Sequence, residues 1–299
     1  MQILTDLKQL NKSVLAIGTF DGLHLGHQDV IKTAGRLAWE RHLPLAVLTF
    51  HEHPFSLLHP DRVPPCLLDR EQKYNLLEKF AVDILIDLHF TADIASINAE
   101  DFISLLSNHL VVVGQDFRFG RAAAGRPDML PDAVIRPLLQ VDGHTVSSTC
   151  IRQFIGQGKI DIANKLLGRP YAVRGRVEHG QERGRMLGFP TANLRLGKYA
   201  VPDFGAYIVA VKPEEPEFAG RNISYYGIAN MGNNPTFGNA EPRLEVHILN
   251  FHGDLYGKTL EIAFLHQLRK EERFANAEML QEQLKKDKRN ACTYLQNML

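Results

Sequence analysis

Four short apolar runs punctuate the first half of the chain: Val14–Ile17, Leu45–Phe50, Ile84–Leu88 and Val111–Val113. Between them lie HQDVIKTAGRLAWERH, DREQKYNLLEKFA and NAEDFISLLSNHL, where apolar residues recur every three or four positions. Strand, helix, strand, helix at this spacing predicts an α/β unit, a parallel sheet with helices on its faces. The segment SSTCIRQFIGQGKIDIANKLLGRP predicts one or two short helices. The punctuation Gly168-Arg169-Pro170 then ends the pattern. This divides the chain into residues 1–168 and 169–299.

After Pro170 the rhythm changes. YAVRGRVEHG, GAYIVAVKP, SYYGIANMG, RLEVHILNF and TLEIAFLHQL are strand-like runs separated by Gly, Pro and Asn turns. Strands without intervening helices predict an antiparallel sheet or small β-barrel. The last segment carries apolar residues at 277, 280, 284, 291, 295 and 298. That spacing predicts a terminal helix packed on the barrel. There is no internal repeat and no low-complexity tract.

Composition narrows the class. Hydrophobic residues make up 44% and charged residues 23% of 299, ordinary for a soluble globular protein. Lys+Arg and Asp+Glu number 34 each, without the basic excess of a bulk nucleic-acid binder. No apolar run approaches the roughly 18 residues of a membrane span. MQILTDLKQLNK lacks the basic start and apolar core of a signal peptide. Cys66, Cys150 and Cys292 are scattered, which fits reduced thiols in a cytoplasmic protein.

Candidate chemistry begins at GTFDGLHLGHQ, residues 18–28, which follows the first apolar run. Ligands of open parallel sheets bind beyond the carboxyl ends of strands. The glycines let backbone N–H groups approach a ligand, and a helix starting near Gly26 turns its positive end to the same place. His24 and His27, three apart, can reach one anion together and donate to a polyphosphate as charge develops. The tetrapeptide HxGH alone would equally suit a tight turn with two surface histidines. Further on, Ser148 and Thr149 form an N-cap cluster, and Arg152 presents a fork that matches phosphate. A plain capped helix would use the same residues.

GTFDGLHLGHQ, TFHEHP, VVVGQDFRFG and SSTCIR, in this order and spacing, resemble the flavin adenylyltransferase module of bacterial bifunctional riboflavin kinase/FAD synthetases. That module is a Rossmann-like HxGH nucleotidyltransferase. The resemblance implies that His24 and His27 contact the ATP phosphates, beside Gly18, Phe20, Gly22 and Gly26. It also implies that Asp116, Phe117 and Arg118 lie near flavin or nucleotide, and that Ser148, Thr149 and Arg152 hold phosphates. Two departures stand out: Cys150 replaces a frequent Arg, and Glu52 replaces the Pro before the His-Pro pair.

In the second half, GRVEHGQERGRMLGFPTANL is rich in glycine and arginine and stiffens at Pro190. A basic glycine loop including Gly184, Arg185 and Gly188 can wrap a phosphate chain. Thr191 and Asn193 follow, hard oxygen ligands suited to Mg²⁺ with phosphate. The string is similar to the riboflavin kinase loop with its PTAN motif. GIANMGNNPTFG is also family-like, with Asn234 where Arg is more usual. RLEVHILNF puts Glu245 and His247 on one strand face and Leu244, Val246 and Ile248 on the other. A carboxylate amid apolar neighbours can have its pKa raised into general-base range. The resemblance makes Glu245 the base that takes the proton of the ribityl 5′-hydroxyl. It also lets the segment of Arg269 and Phe274 close over flavin.

The expectation is a two-step flavin enzyme with riboflavin, FMN and ATP as substrates, Mg²⁺ accompanying ATP. It would be a monomer or weak homo-oligomer, with neither nucleic acid nor membrane as partner. Two alternatives stay open. Thirteen histidines, with His51 and His53 near His24 and His27, allow a histidine-metal hydrolase, although no HExxH is present. Cys150, Glu52 and Asn234 allow a flavin-binding module without catalysis.

Overall fold

A computed structural model describes residues 1–179, 188–214, 225–233 and 242–298. The chain divides into two compact units, Met1–Cys150 and Ile151–Leu299.

The first unit is built on strands β1 (Gln2–Leu4), β2 (Val14–Ile17), β3 (Leu45–Phe50), β4 (Ile84–Leu88), β5 (Leu110–Gly114) and β6 (Val134–Arg136). They form one parallel sheet in the order β1-β4-β3-β2-β5-β6. The central strands are almost wholly apolar because both faces are covered, with Thr49 of β3 and Asp87 of β4 as buried polar exceptions. Val14, Ala16, Val47, Leu85 and Val112 pack with Val30, Ile31, Ala34 and Ala38 of α1 (Leu25–Arg41). Leu15, Ile17, Ala46, Leu48, Ile86, Val111 and Val113 face the other way, against Ala99 and Leu106. Short helices α2 (Phe55–Leu58), α3 (Arg70–Lys79), α4 (Ala92–Ser96) and α5 (Ala99–Leu105) fill the connections. Asp69 and Gln72 start α3 with a reciprocal capping box, and Asn98 caps α5. Edge strands β1 and β6 and the small hairpin β7 (Gln140–Val141) and β8 (His144–Thr145) were not predicted, being too short to show periodicity.

The strand order places the unit's ligand site. From β2 the chain winds outward through β3 and β4; β5 returns to the other flank of β2, and β6 continues outward. The winding reverses between β2 and β5, so a crevice opens beyond their carboxyl ends. Residues 18–28 leave β2 there, and residues 115–120 leave β5 there.

Helix α6 (Ser148–Gly156) carries the chain into the second unit, followed by α7 (Ile160–Leu167). Gly168, at the expected domain boundary, is the left-handed C-cap of α7 (φ 71°). The division into compact units falls earlier. Ile160, Ala163, Leu166 and Leu167 of α7 are fully buried, and the Asn164 side chain bonds Phe264 O and Tyr171 N of the barrel.

The barrel strands are β9 (Tyr171–Glu178), β10 (Ala192–Arg195), β11 (Gly205–Pro213), β12 (Tyr225–Asn233), β13 (Pro242–Ile248) and β14 (Thr259–Lys270). They close in the order β10-β13-β12-β11-β14-β9, antiparallel throughout, with β9 pairing back to β10. Alternation sends Leu194, Tyr207, Val209, Leu244, Val246, Ile262 and Phe264 inward, all nearly inaccessible to solvent. Outward Ile208 and Ile228 are covered by Ala291 and Leu295 of the terminal helix α8 (Ala277–Met298). The buried stripe of α8 departs from the expected one. Asp287 occupies it between Leu284 and Ala291 with 1% exposure, while Ala277 and Met298 are exposed.

Candidate active sites

The loop after β2 is held in a costly conformation. Phe20 (φ 49°), Gly22 (φ 82°) and Leu23 (φ 40°) all lie in the left-handed region, which only glycine occupies without strain. The loop is over-determined by its neighbours. Phe20 and Leu23 are buried in the core, Thr49 Oγ1 donates to Thr19 O (2.9 Å), and Leu67 N–H donates to Asp21 Oδ1 (3.0 Å). Ser148 Oγ donates to Asp21 O (2.8 Å), and Gly18 N–H bonds Leu48 O (3.1 Å).

His24 is the N-cap of α1, and its Nδ1 accepts the His27 N–H at 3.2 Å. That contact puts the ring proton on Nε2 in the neutral tautomer. The two imidazoles stack with centroids 3.6 Å apart and planes at 14°, and Phe20 meets His27 edge-on at 5.3 Å. Gly26 leaves room for this arrangement, since a Cβ there would stand 3.3 Å from the His24 ring. Both rings therefore occupy the first turn of α1, where the helix dipole favours an anion.

Beyond β5, Asp116 and Arg118 are exposed. Phe117 is half-buried and packs with Phe119 (5.6 Å) on the core, so its ring is a support. On α6, Ser147 Oγ caps the Cys150 N–H (3.2 Å), Thr149 is exposed, and Arg152 stands one turn after Ser148.

On the barrel, Glu245 of β13 lies directly opposite Asn193 of β10 and Asn230 of β12. Opposed residues share a sheet face, so the three form a polar row on the outer surface. Thr191 stands immediately before β10, half-buried. The expected apolar surroundings of Glu245 are not found in this row: Leu244 and Val246 point into the barrel, and amides flank the carboxylate. His247 Nδ1 meets Pro190 O at 2.9 Å, tying β13 to the segment before Thr191. Burial pushes the His247 imidazole below its ordinary range, against the pull of that carbonyl. Gly188 is exposed at φ 79°. Gly184, Arg185 and Asn234 lie outside the described residues.

The riboflavin kinase family model matches residues 167–295, and the FAD synthetase model matches residues 6–150. The bifunctional riboflavin kinase/FMN adenylyltransferase of Bacillus subtilis (strain 168) is 38% identical, over 96% of this chain and 94% of its own length. Its Escherichia coli (strain K12) counterpart is 35% identical over 93% and 91%. This chain belongs to the bifunctional riboflavin kinase/FMN adenylyltransferase family. It phosphorylates riboflavin to FMN with ATP in its C-terminal half, and adenylylates FMN to FAD with release of pyrophosphate in its N-terminal half. A crystal structure titled macrolide-efflux protein from Streptococcus pneumoniae is 33% identical, with a TM-score of 0.86 over 96% of this chain and 97% of that one. Among the described residues no helix is long and apolar enough to cross a membrane.

Several structurally placed groups lie outside the sequence motifs. Lys73 of α3 donates to Thr19 O (3.2 Å), beneath the loop of the adenylyltransferase half. Burial lowers its ammonium pKa, opposed by Asp21 and Asp87. Asp29 of α1 grips Arg136 at the end of β6 in a fork (2.7 and 3.2 Å), fixing the first turns of α1. Neither partner sits in a recognisable motif. In the kinase half, Arg269 bonds buried Asp287 of α8 (Nη2–Oδ2 3.0 Å) and lies over the Phe274 ring at 5.6 Å. That pair anchors the terminal helix. Of the four histidines offered for a metal hydrolase, only His51 joins a ligand cluster among the described residues.

Proposed function

We propose that FMN adenylylation takes place at the β2–β5 crevice and riboflavin phosphorylation at the outer row of the barrel. In the first site, Gly18, Gly22 and Gly26 give backbone access to the ATP phosphates. Phe20 contributes its backbone and the ring that supports His27. His24 and His27 donate to phosphate oxygens as the FMN phosphate attacks the α-phosphorus and pyrophosphate departs. That nucleophile is already an anion, so the site has to position and neutralise rather than remove a proton. Asp116 and Arg118 orient flavin or nucleotide, while Ser148 braces the loop and Thr149 and Arg152 address phosphate. The stacked pair at the α1 start carries this reading.

In the second site, Glu245 takes the proton of the ribityl 5′-hydroxyl as that oxygen bonds the γ-phosphorus and ADP leaves. Thr191 and Asn193 offer hard oxygens beside this carboxylate, a donor set that fits Mg²⁺. Bound there, Mg²⁺ would neutralise charge on the transferred phosphoryl group. The basic loop of Gly184, Arg185 and Gly188 follows the phosphate chain, and Arg269 and Phe274 border the flavin through their anchorage on α8. The cross-strand pair Asn193–Glu245 carries this reading. Balanced charge and three free cysteines among the described residues support a cytoplasmic enzyme acting on small molecules, monomeric or weakly self-associating.

The direct test incubates the protein with riboflavin, ATP and Mg²⁺ and separates riboflavin, FMN and FAD. FMN should appear first and FAD from it, and excess chelator should stop both steps. FMN formation that persists in chelator would refute the metal assignment.

A further inference from the structure

We propose that His51, Glu52 and His89 form a binding site for a transition-metal dication of the zinc class at the carboxyl ends of β3 and β4. The site is separate from the Mg²⁺ that accompanies ATP. Its geometry follows from strand register. Phe50 of β3 pairs with Leu88 of β4, and the His51 N–H continues the ladder to Leu88 O at 2.8 Å. The next residues on the two strands, His51 and His89, therefore emerge side by side, with ring centroids 4.3 Å apart. Glu52 reaches both: Oε1 lies 3.9 Å from His51 Nε2, and Oε2 lies 3.5 Å from His89 Nδ1. One ligand atom from each residue falls within 4.8 Å of the others, and among the described residues no other such group of His, Cys, Asp and Glu occurs. Bonds of about 2.0–2.2 Å in a tetrahedral shell place neighbouring ligand atoms roughly 3.3–3.6 Å apart, so small side-chain rotations close the site.

The supporting groups point to the same use. Asp87 is buried (4% exposed), and its Oδ2 accepts from both His51 Nδ1 (2.8 Å) and the Tyr74 hydroxyl. A carboxylate on one imidazole nitrogen fixes the tautomer and turns the other nitrogen, Nε2, outward as a lone-pair donor. This is the usual arrangement behind a metal-bound histidine. Two imidazoles and one carboxylate suit Zn²⁺ or Co²⁺ rather than Mg²⁺ or Ca²⁺, which favour all-oxygen shells. Three protein ligands leave a fourth position for water. One group competes: Arg70 Nη1 lies 2.9 Å from His51 Nε2 and donates to the lone pair a metal would use. Arg70 is exposed and can swing away, so the metal displaces an arginine rather than entering a vacant place.

The probe is Co²⁺ titrated into the full-length protein after dialysis against chelator, followed by its visible d–d absorption and by the thermal unfolding midpoint. The expected result is one saturable Co²⁺ per chain, displaced by Zn²⁺, with a raised midpoint from binding to the folded state. Glu52 and His89 are both exposed, so Glu52→Ala and His89→Ala should fold normally, and each should weaken binding by about 100-fold or more. Asp87→Asn should weaken it about 10–100-fold through His51. Arg70→Ala should tighten it by removing the competitor. Absence of saturable binding, or binding unchanged in His89→Ala and Glu52→Ala, overturns the proposal. Unchanged or weaker binding in Arg70→Ala overturns the assignment of His51 Nε2 as a ligand.

Discussion

His24 stacks on His27, ring centroids 3.6 Å apart, while its own Nδ1 receives the His27 backbone N–H. One histidine thus caps the helix through the backbone of the other and stacks on its ring. Removing the second ring should leave the cap in place. His27→Ala is therefore expected to slow FMN adenylylation at least about tenfold, within the roughly 2–4 kcal/mol of a transition-state donor. Riboflavin phosphorylation by the same protein should persist. Measuring FAD from supplied FMN, and FMN from riboflavin, checks both; unchanged FAD formation refutes the role.

Glu245→Gln preserves shape and the row with Asn193 and Asn230 but removes the base. Riboflavin phosphorylation should fall on the order of 10²–10⁴-fold, with little change in riboflavin affinity and none in FMN adenylylation. A fully active Gln variant would mean that Glu245 is only a strand residue and the base lies elsewhere.

The packing of α7 on the barrel bears on where the kinase half can be cut. A fragment of residues 151–299 keeps Ile160, Ala163, Leu166 and Leu167 buried and should fold and make FMN. A fragment of residues 169–299 loses those contacts and the Asn164 bonds to Phe264 and Tyr171. It should unfold at a lower temperature, because each buried aliphatic side chain contributes about 1.5–3 kcal/mol. Equal midpoints for the two fragments would show that α7 adds nothing to the barrel.

His109 gives the first unit a pH dependence of predictable sign. Its Nδ1 lies 3.0 Å from Ser13 Oγ, and burial lowers its pKa from the ordinary 6.5. As pH falls through about 6.5, the unfolded chain takes up the proton before the folded one. Stability is therefore full above that range and lost below it. The single tryptophan, Trp39 on α1, offers a fluorescence readout of this unit. The unfolding free energy should fall as the pH drops below about 6.5, and His109→Gln should flatten that fall. Identical slopes for the two proteins would exclude His109 as a source.

What the chain alone determines is the set of features governed by near neighbours. The apolar runs at Val14, Leu45, Ile84 and Val111 become strands, because a strand buried on both faces is apolar at nearly every position, Thr49 and Asp87 being the buried exceptions. The α3 and α5 caps, and the Gly22 and Gly26 turn, are local rules of hydrogen bonding and backbone freedom. The alternation that separates Glu245 from Leu244 and Val246 is equally local.

The tertiary structure decided which distant segments face each other. Alternation places Glu245 on a face, but only closure of the barrel sets Asn193 and Asn230 beside it and turns the apolar residues away. Asp287 interrupts the apolar spacing of α8, and nothing nearby in sequence marks Arg269 as the partner that makes its burial tolerable. His51 and His89 belong to different βα connections and meet only because β3 and β4 pair in parallel. Helical and strand periodicities arise from contacts within about four residues, whereas strand order and cross-strand register arise from burying apolar surface between segments far apart in the chain.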